Sequence, residues 1–241
     1  MELKVEQGNL RKLAEFMDSL GIVTRYIQVS MEEANKPVIN AIAFLDFTKA
    51  KATPKEALEI LTNSYNFIKS AKIIKPQGKG VIFDDYFFPS VADGERVVVF
   101  RRRTYEALFN GVKEKFGTAG EAMLYYQGFS IGAEIFDHYA KIAKSNKVED
   151  LVAVAKAINM TMSWGIIDDV NVDQEKGCAR LKIYQNFECE LGKGKGKPQS
   201  QFYRGAIAGV FARFFGKDVE VRETKCIAMG DPYCEFEIKT R

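Results

Sequence analysis

The chain has 241 residues, and 35 Lys and Arg against 32 Asp and Glu leave a formal charge of +3, with 46% apolar and 28% charged residues. That length suits one large domain or two small ones with a real core, and no stretch approaches the roughly 20 apolar residues that a membrane span needs. The charge is too weak to argue for nucleic acid, and 18 Phe with 10 Tyr are too many for an unfolded chain.

The start MELKVEQG has no basic region followed by an apolar one, so no signal peptide is expected and a cytoplasmic location is. LKVEQ alternates as a short strand does. Asn9 stands as N-cap for a helix over LRKLAEFMDSLG, whose Leu10, Leu13, Phe16, Met17 and Leu20 recur at spacings of three and four. Gly21 closes that helix. VTRYIQVS and VINAIAFLDF read as strands around the polar turn EEANKP. Thr53-Pro54-Lys55-Glu56 opens a second helix with Ala57, Leu58, Leu61 and Tyr65 on it, and SAKIIKP supplies a last strand. Pro76 to Gly80 marks a boundary.

Beyond it, GVIFDDYFFPS and RVVVFRR read as extended segments, followed by helices over about 104–116, 119–144 and 148–162. IIDDVNVD and ARLKIYQNFECE read as strands, GKGKGKPQ as a loop, and SQFYRGAIAGVFARFFG as a helix ended by Gly216. VEVRETKCIA and CEFEIKT form a closing hairpin. The lysine-glycine loop lacks the Gly-Lys-Ser/Thr ending of a phosphate-binding loop and reads as solvated.

His138 is the only histidine, which excludes every chemistry needing two imidazoles. It lies within the helical stretch FDHYAKI, without a nucleophile elbow anywhere in the chain, and reads as a helix-surface or helix-contact residue. Four cysteines without a secretory signal read as thiols or ligands rather than a disulfide framework. On the closing hairpin, a turn carrying Gly230 brings Cys226 and Cys234 together, and Glu223 adds a carboxylate. Those are three donors of the four that a tetrahedral zinc site requires.

Two resemblances follow from these residues. The β-α-β-β-α-β order and the GNLxxLxxxxxxLGI opening resemble an ACT-type regulatory domain over residues 1–76. The pattern E-x2-C-x7-C with Gly-Asp before the second Cys resembles the end of the 4-vinyl reductase domain over about residues 81–241. Gly128 to Gly132, Asn186 to Glu188, and Arg204-Gly205-x3-Gly209 belong to the same resemblance.

The fold class is therefore α/β (α+β), a ferredoxin-like ACT-type βαββαβ domain followed by a larger mixed α/β domain. The second resemblance implies a buried apolar pocket and a two-fold homodimer. It also implies zinc held by Glu223, Cys226, Cys234 and an earlier Cys, whose place Ser200 takes here. Cys189 is a further donor if its strand runs beside the hairpin. Bound zinc, redox-responsive thiols and merely buried cysteines all stay open as readings.

Tyr125, Phe129, Gly132, Phe136 and Tyr139 share one helical face. Of these, the first four are candidate ligand-binding residues together with Trp164, Tyr184 and Phe202; Phe187 and Tyr203 are further walls. The function expected is a ligand-responsive regulator binding a small hydrophobic or aromatic molecule, acting through a protein partner and without a recognition helix for nucleic acid. Two alternatives stand beside it: an enzyme or accessory protein in tetrapyrrole vinyl reduction, and an interaction module similar to transport-particle subunits.

Overall fold

The structure, a computed structural model, describes residues 1–30, 37–74, 88–92 and 95–241. The expected turn at 32–37, except Pro37, the boundary at 76–80 and most of the segment 80–90 lie outside the described residues. The chain divides into two compact units, Met1–Val99 and Phe100–Arg241.

In the first unit, β1 (Glu2–Glu6), α1 (Leu10–Ser19), β2 (Val23–Ser30), β3 (Val38–Asp46), α2 (Pro54–Ser64) and β4 (Ile68–Lys72) follow the expected βαββαβ order. The sheet order is β2-β3-β1-β4, with each neighbouring pair antiparallel. Leu3, Val5, Ile39 and Ala41 from the sheet meet Leu13, Phe16 and Met17 of α1 and Ala57 and Leu61 of α2.

Helix ends follow local chemistry. Thr53 and Glu56 form a reciprocal cap, the Glu56 N–H donating to Thr53 Oγ1 at 3.3 Å and the Thr53 N–H to Glu56 Oε2 at 2.8 Å. At the end of α1, Gly21 has φ +67°; its N–H reaches the Asp18 carbonyl and the Ile22 N–H reaches that of Met17, both at 2.9 Å. That pair of bonds is a glycine-based helix stop. Asn9 holds the N-cap position, but its side chain makes no cap bond to the helix; its amide donates back to Glu6 and Gln7 carbonyls.

The last strand runs over 68–72 rather than 70–76. Phe67 is buried in the core and its carbonyl accepts the Glu6 N–H at 3.0 Å, so pairing with β1 starts early and ends before Ile73.

The short strands β5 (Val91–Ala92) and β6 (Glu95–Arg96) pair for two residues each, a shorter ladder than RVVVFRR suggests. The second unit then starts with α3 (Arg102–Ala143), in which Gly117 has φ 55° and ψ −131°. That conformation is open to glycine and breaks the helix between the two stretches read from sequence.

α4 (Val148–Thr161), β7 (Ile166–Asp173), β8 (Cys178–Tyr184), the single turn α5 (Phe187–Glu190), α6 (Gln201–Phe215), β9 (Val219–Lys225) and β10 (Cys234–Thr240) complete the unit. Its sheet has the order β7-β8-β10-β9, again antiparallel throughout. α6 packs on β9 and β10, α4 on β7, and α3 on α6.

The α3–α6 crossing explains the paired glycines. A Cβ at Gly128 or Gly132 would collide with the carbonyl oxygens of Phe202 or Ala206. One at Gly205 or Gly209 would collide with those of Tyr125 and Phe129. The helices touch backbone to backbone.

Candidate metal centre and apolar cavity

Period-two alternation on β9 puts Val219, Val221 and Glu223 on one face, so a carboxylate occupies a core-facing position. A bulge at Thr224 shifts the register, pairing Glu223 with Phe236 but Lys225 with Glu235. The extra residue turns Cys226 to the same side as Glu223. The hairpin turn is then pinned: Asp231 Oδ2 accepts the Cys226 N–H at 2.8 Å, and Gly230 takes φ +102°. Cys234 starts β10 across from Cys226, and the Ile227 N–H points at its sulfur, 3.5 Å away.

The fourth member comes from α5. β8 ends at Tyr184, where the sequence reading continued the strand to Glu190; Gln185 has φ +53°, and Asn186 Oδ1 accepts the N–H groups of Glu188 and Cys189 at 3.1 Å each. This cap curls the chain into a helical turn. Cys189 thereby sits 3.5 Å from Cys226, sulfur to sulfur, and 3.6 Å from Glu223 Oε1. The donor atoms of Cys189, Glu223, Cys226 and Cys234 all lie within 4.8 Å of one another, and the three cysteines are buried. Ser200 stands outside that set; its hydroxyl donates to Glu223 Oε2 at 2.6 Å.

Burial pushes the Glu223 carboxyl up to about 8, with the Ser200 hydroxyl opposing. Bonds from Cys189 and Cys234 pull Cys226 down toward a thiolate, and the same bond to Cys226 pushes the Cys189 thiol up. One negative charge is thus shared among three sulfurs. This is a donor set for a soft or borderline divalent cation.

Beside it lies a buried ion pair. Lys113 Nζ on α3 is 2.8 Å from Glu188 Oε1 and donates to the Gln199 carbonyl at 2.7 Å. Glu188 Oε2 accepts the Tyr203 N–H at 2.9 Å, satisfying a donor at the start of α6 that Ser200 leaves unmet. Burial pushes the Glu188 carboxyl up, and the Lys113 ammonium opposes this.

A cavity of about 110 Å³ lies between α3, α4, α6 and the sheet. Phe136, Trp164, Ile167, Leu181, Ile207 and Phe211 are among its walls, and its polar residues are Tyr139, Asn159 and Tyr203.

Of the predicted ligand residues, Phe136 and Trp164 line this cavity. Phe202 is buried behind Trp164, ring centroids 5.7 Å apart. Phe129 and Tyr125 pack beside the core, with Arg204 over the Tyr125 ring at 5.2 Å. Gly132 is at the helix crossing. Tyr184 lies elsewhere, stacked edge-on with Tyr233 beside an open groove. His138 is half-buried on α3, outside the cysteine cluster. Asn159 escapes sequence reasoning, because one amide in an otherwise apolar helix carries no motif.

Comparisons with known proteins agree with this architecture. An uncharacterized protein of Methanocaldococcus jannaschii is 29% identical over 136 residues, covering 55% of this chain and 74% of its own. The phenol-responsive sensory domain of the transcription activator PoxR, solved with phenol, has a similar fold. It matches with a TM-score of 0.53 at 15% identity, over 61% of this chain and 78% of that one. A vinyl-4-reductase family protein from Methanocaldococcus jannaschii aligns at 22% identity over 62% of this chain and 85% of that one, with a TM-score of 0.41. Residues 179–240, from β8 through β10, match the family model of the 4-vinyl reductase domain, the resemblance carried by Glu223, Cys226 and Cys234.

Proposed function

We propose that residues 81–241 form a small-molecule sensor that binds a small apolar or aromatic molecule in the cavity and is braced by zinc on Cys189, Glu223, Cys226 and Cys234. Residues 1–76 act as an ACT-like regulatory part, in a cytoplasmic homodimer that signals through a protein partner. The observation that carries the reading is the cavity, about 110 Å³ and walled almost entirely by apolar side chains. An engineered apolar cavity of about 150 Å³ stays dry and takes benzene, so this volume suits a molecule of that order. The phenol-responsive fold neighbour supports the same reading.

The donor set fits zinc. With Zn–S near 2.3 Å, a tetrahedron has edges of about 3.8 Å, close to the 3.5 Å between Cys189 and Cys226. Bound there, zinc would supply a structural crosslink between α5 and the closing hairpin. This chain's residues do the rest. Ser200 orients the Glu223 carboxylate, Asp231 fixes the turn bearing Cys226, and Asn186 presents Cys189.

Native mass spectrometry with elemental analysis should find about one zinc per chain in a dimer. Cys226→Ser and Cys189→Ser should each lose the metal and melt earlier, whereas Ser200→Ala should retain it. A metal-free wild type with unchanged melting in both variants would sink the zinc assignment. Trp164 is the single tryptophan and lines the cavity, so its emission reports occupancy. Toluene should change that emission saturably, and Val210→Phe, which fills the space, should abolish the response. A response surviving Val210→Phe would place the binding elsewhere.

A further inference from the structure

Three polar side chains meet at the cavity wall, and their hydrogen bonds leave one proton over. Asn159 Nδ2 donates to the Ala155 carbonyl at 3.1 Å, which fixes the direction of its amide. Asn159 Oδ1 must then be an acceptor, and the Tyr203 hydroxyl donates to it at 2.6 Å. The second Asn159 Nδ2 proton faces Tyr139 Oη at 3.5 Å, so Tyr139 is on the accepting side of that contact.

The hydroxyl proton of Tyr139 has no acceptor among the described residues, although Tyr139 is only 5% exposed. Burial also pushes its phenol up to about 12, so the proton stays on the oxygen. A buried donor without an acceptor is costly, and native proteins rarely leave one. Tyr139, Asn159 and Tyr203 all line the cavity.

We propose that the cavity is specific for a small apolar molecule bearing one hydrogen-bond acceptor, a carbonyl above all, which takes the Tyr139 hydroxyl proton. This rests on the cavity being the ligand site. The Asn159–Tyr203 bond holds the acceptor end of the network closed, so the site offers the ligand one donor. The remaining walls, including Phe136, Val152, Ile167 and Phe211, select for apolar bulk. Discrimination would then come from the hydrogen bond, since a site built to bond a polar atom rejects an isostere lacking it.

The test compares cyclohexanone with methylcyclohexane, equal in heavy-atom count and differing in the acceptor, by titration calorimetry on the full chain. The wild type should bind the ketone at least about tenfold more tightly, the worth of one buried hydrogen bond. Tyr139→Phe should bind the two equally, and its own melting temperature should not fall, because the substitution removes an unmet donor. Tyr125→Phe, outside the cavity, should keep the wild-type preference. Equal binding of both probes by the wild type would overturn the acceptor specificity while leaving the cavity as a ligand site. A preference surviving in Tyr139→Phe would overturn the role of Tyr139. Binding of neither probe would overturn the cavity reading, and this inference with it.

Discussion

In the first unit, burial falls almost wholly on apolar side chains, with Glu2 and Asn40 as the buried polar residues and helix ends closed by a glycine stop and a capping box. The second unit buries Asn186, Glu188, Gln199, Ser200, Glu235 and three thiols, and it keeps a cavity open beside them. The front unit obeys local rules nearly everywhere. The second breaks them by placing a carboxylate on a core-facing strand position and an ammonium against a buried carboxylate. Departures of this kind cost stability, and proteins concentrate them at sites with work to do. The contrast therefore points to the second unit as the place of chemistry.

Four substitutions break or sharpen that contrast. Lys113→Met leaves Glu188 buried without its partner and should destabilise the second unit by about 3–5 kcal/mol, read by denaturant unfolding. An effect below about 1 kcal/mol would mean that water already screens the pair. In the front unit, Leu61→Ala, fully buried between α2 and the sheet, should cost about 3 kcal/mol. It should leave zinc content and cavity binding untouched, and a loss of either would show that the units are energetically linked. Thr53→Ala removes the capping box and should cost about 1 kcal/mol in the same transition. Smallest of all, Cys178→Ser should change stability by about 0.5 kcal/mol or less and retain all metal, because Cys178 lies outside the four-donor cluster. Metal loss there would mean that the cysteines are read wrongly.

Much of the front unit is legible from sequence because its signals are local. Gly21 needs only its own positive φ, and Thr53 and Glu56 need only each other. The closing hairpin is legible for the same reason, its two cysteines being joined by a short turn. Cys189 is harder. Its place depends on Asn186 ending a strand and curling the chain, and a four-residue turn shows no periodicity that distinguishes it from strand. Gly128, Gly132, Gly205 and Gly209 announce a close approach, but nothing in the sequence says that they approach one another. The walls of the cavity come from elements far apart in the chain, so Tyr139, Asn159 and Tyr203 meet only once the fold is made.

The glycine crossing has a mechanical consequence for the space beside it. Where α3 and α6 touch, backbone already meets backbone, and neither helix can move inward. Gly132 is followed one turn later by Phe136, and Ala206 lies one turn before Val210; Phe136, Ala206 and Val210 all line the cavity. An ordinary core relaxes around a void by letting its elements drift together, which recovers part of the lost contact energy. Here the spacing is set by incompressible main chain, so the void persists when vacant. The crossing is a fixed spacer that keeps a vessel from closing between fillings.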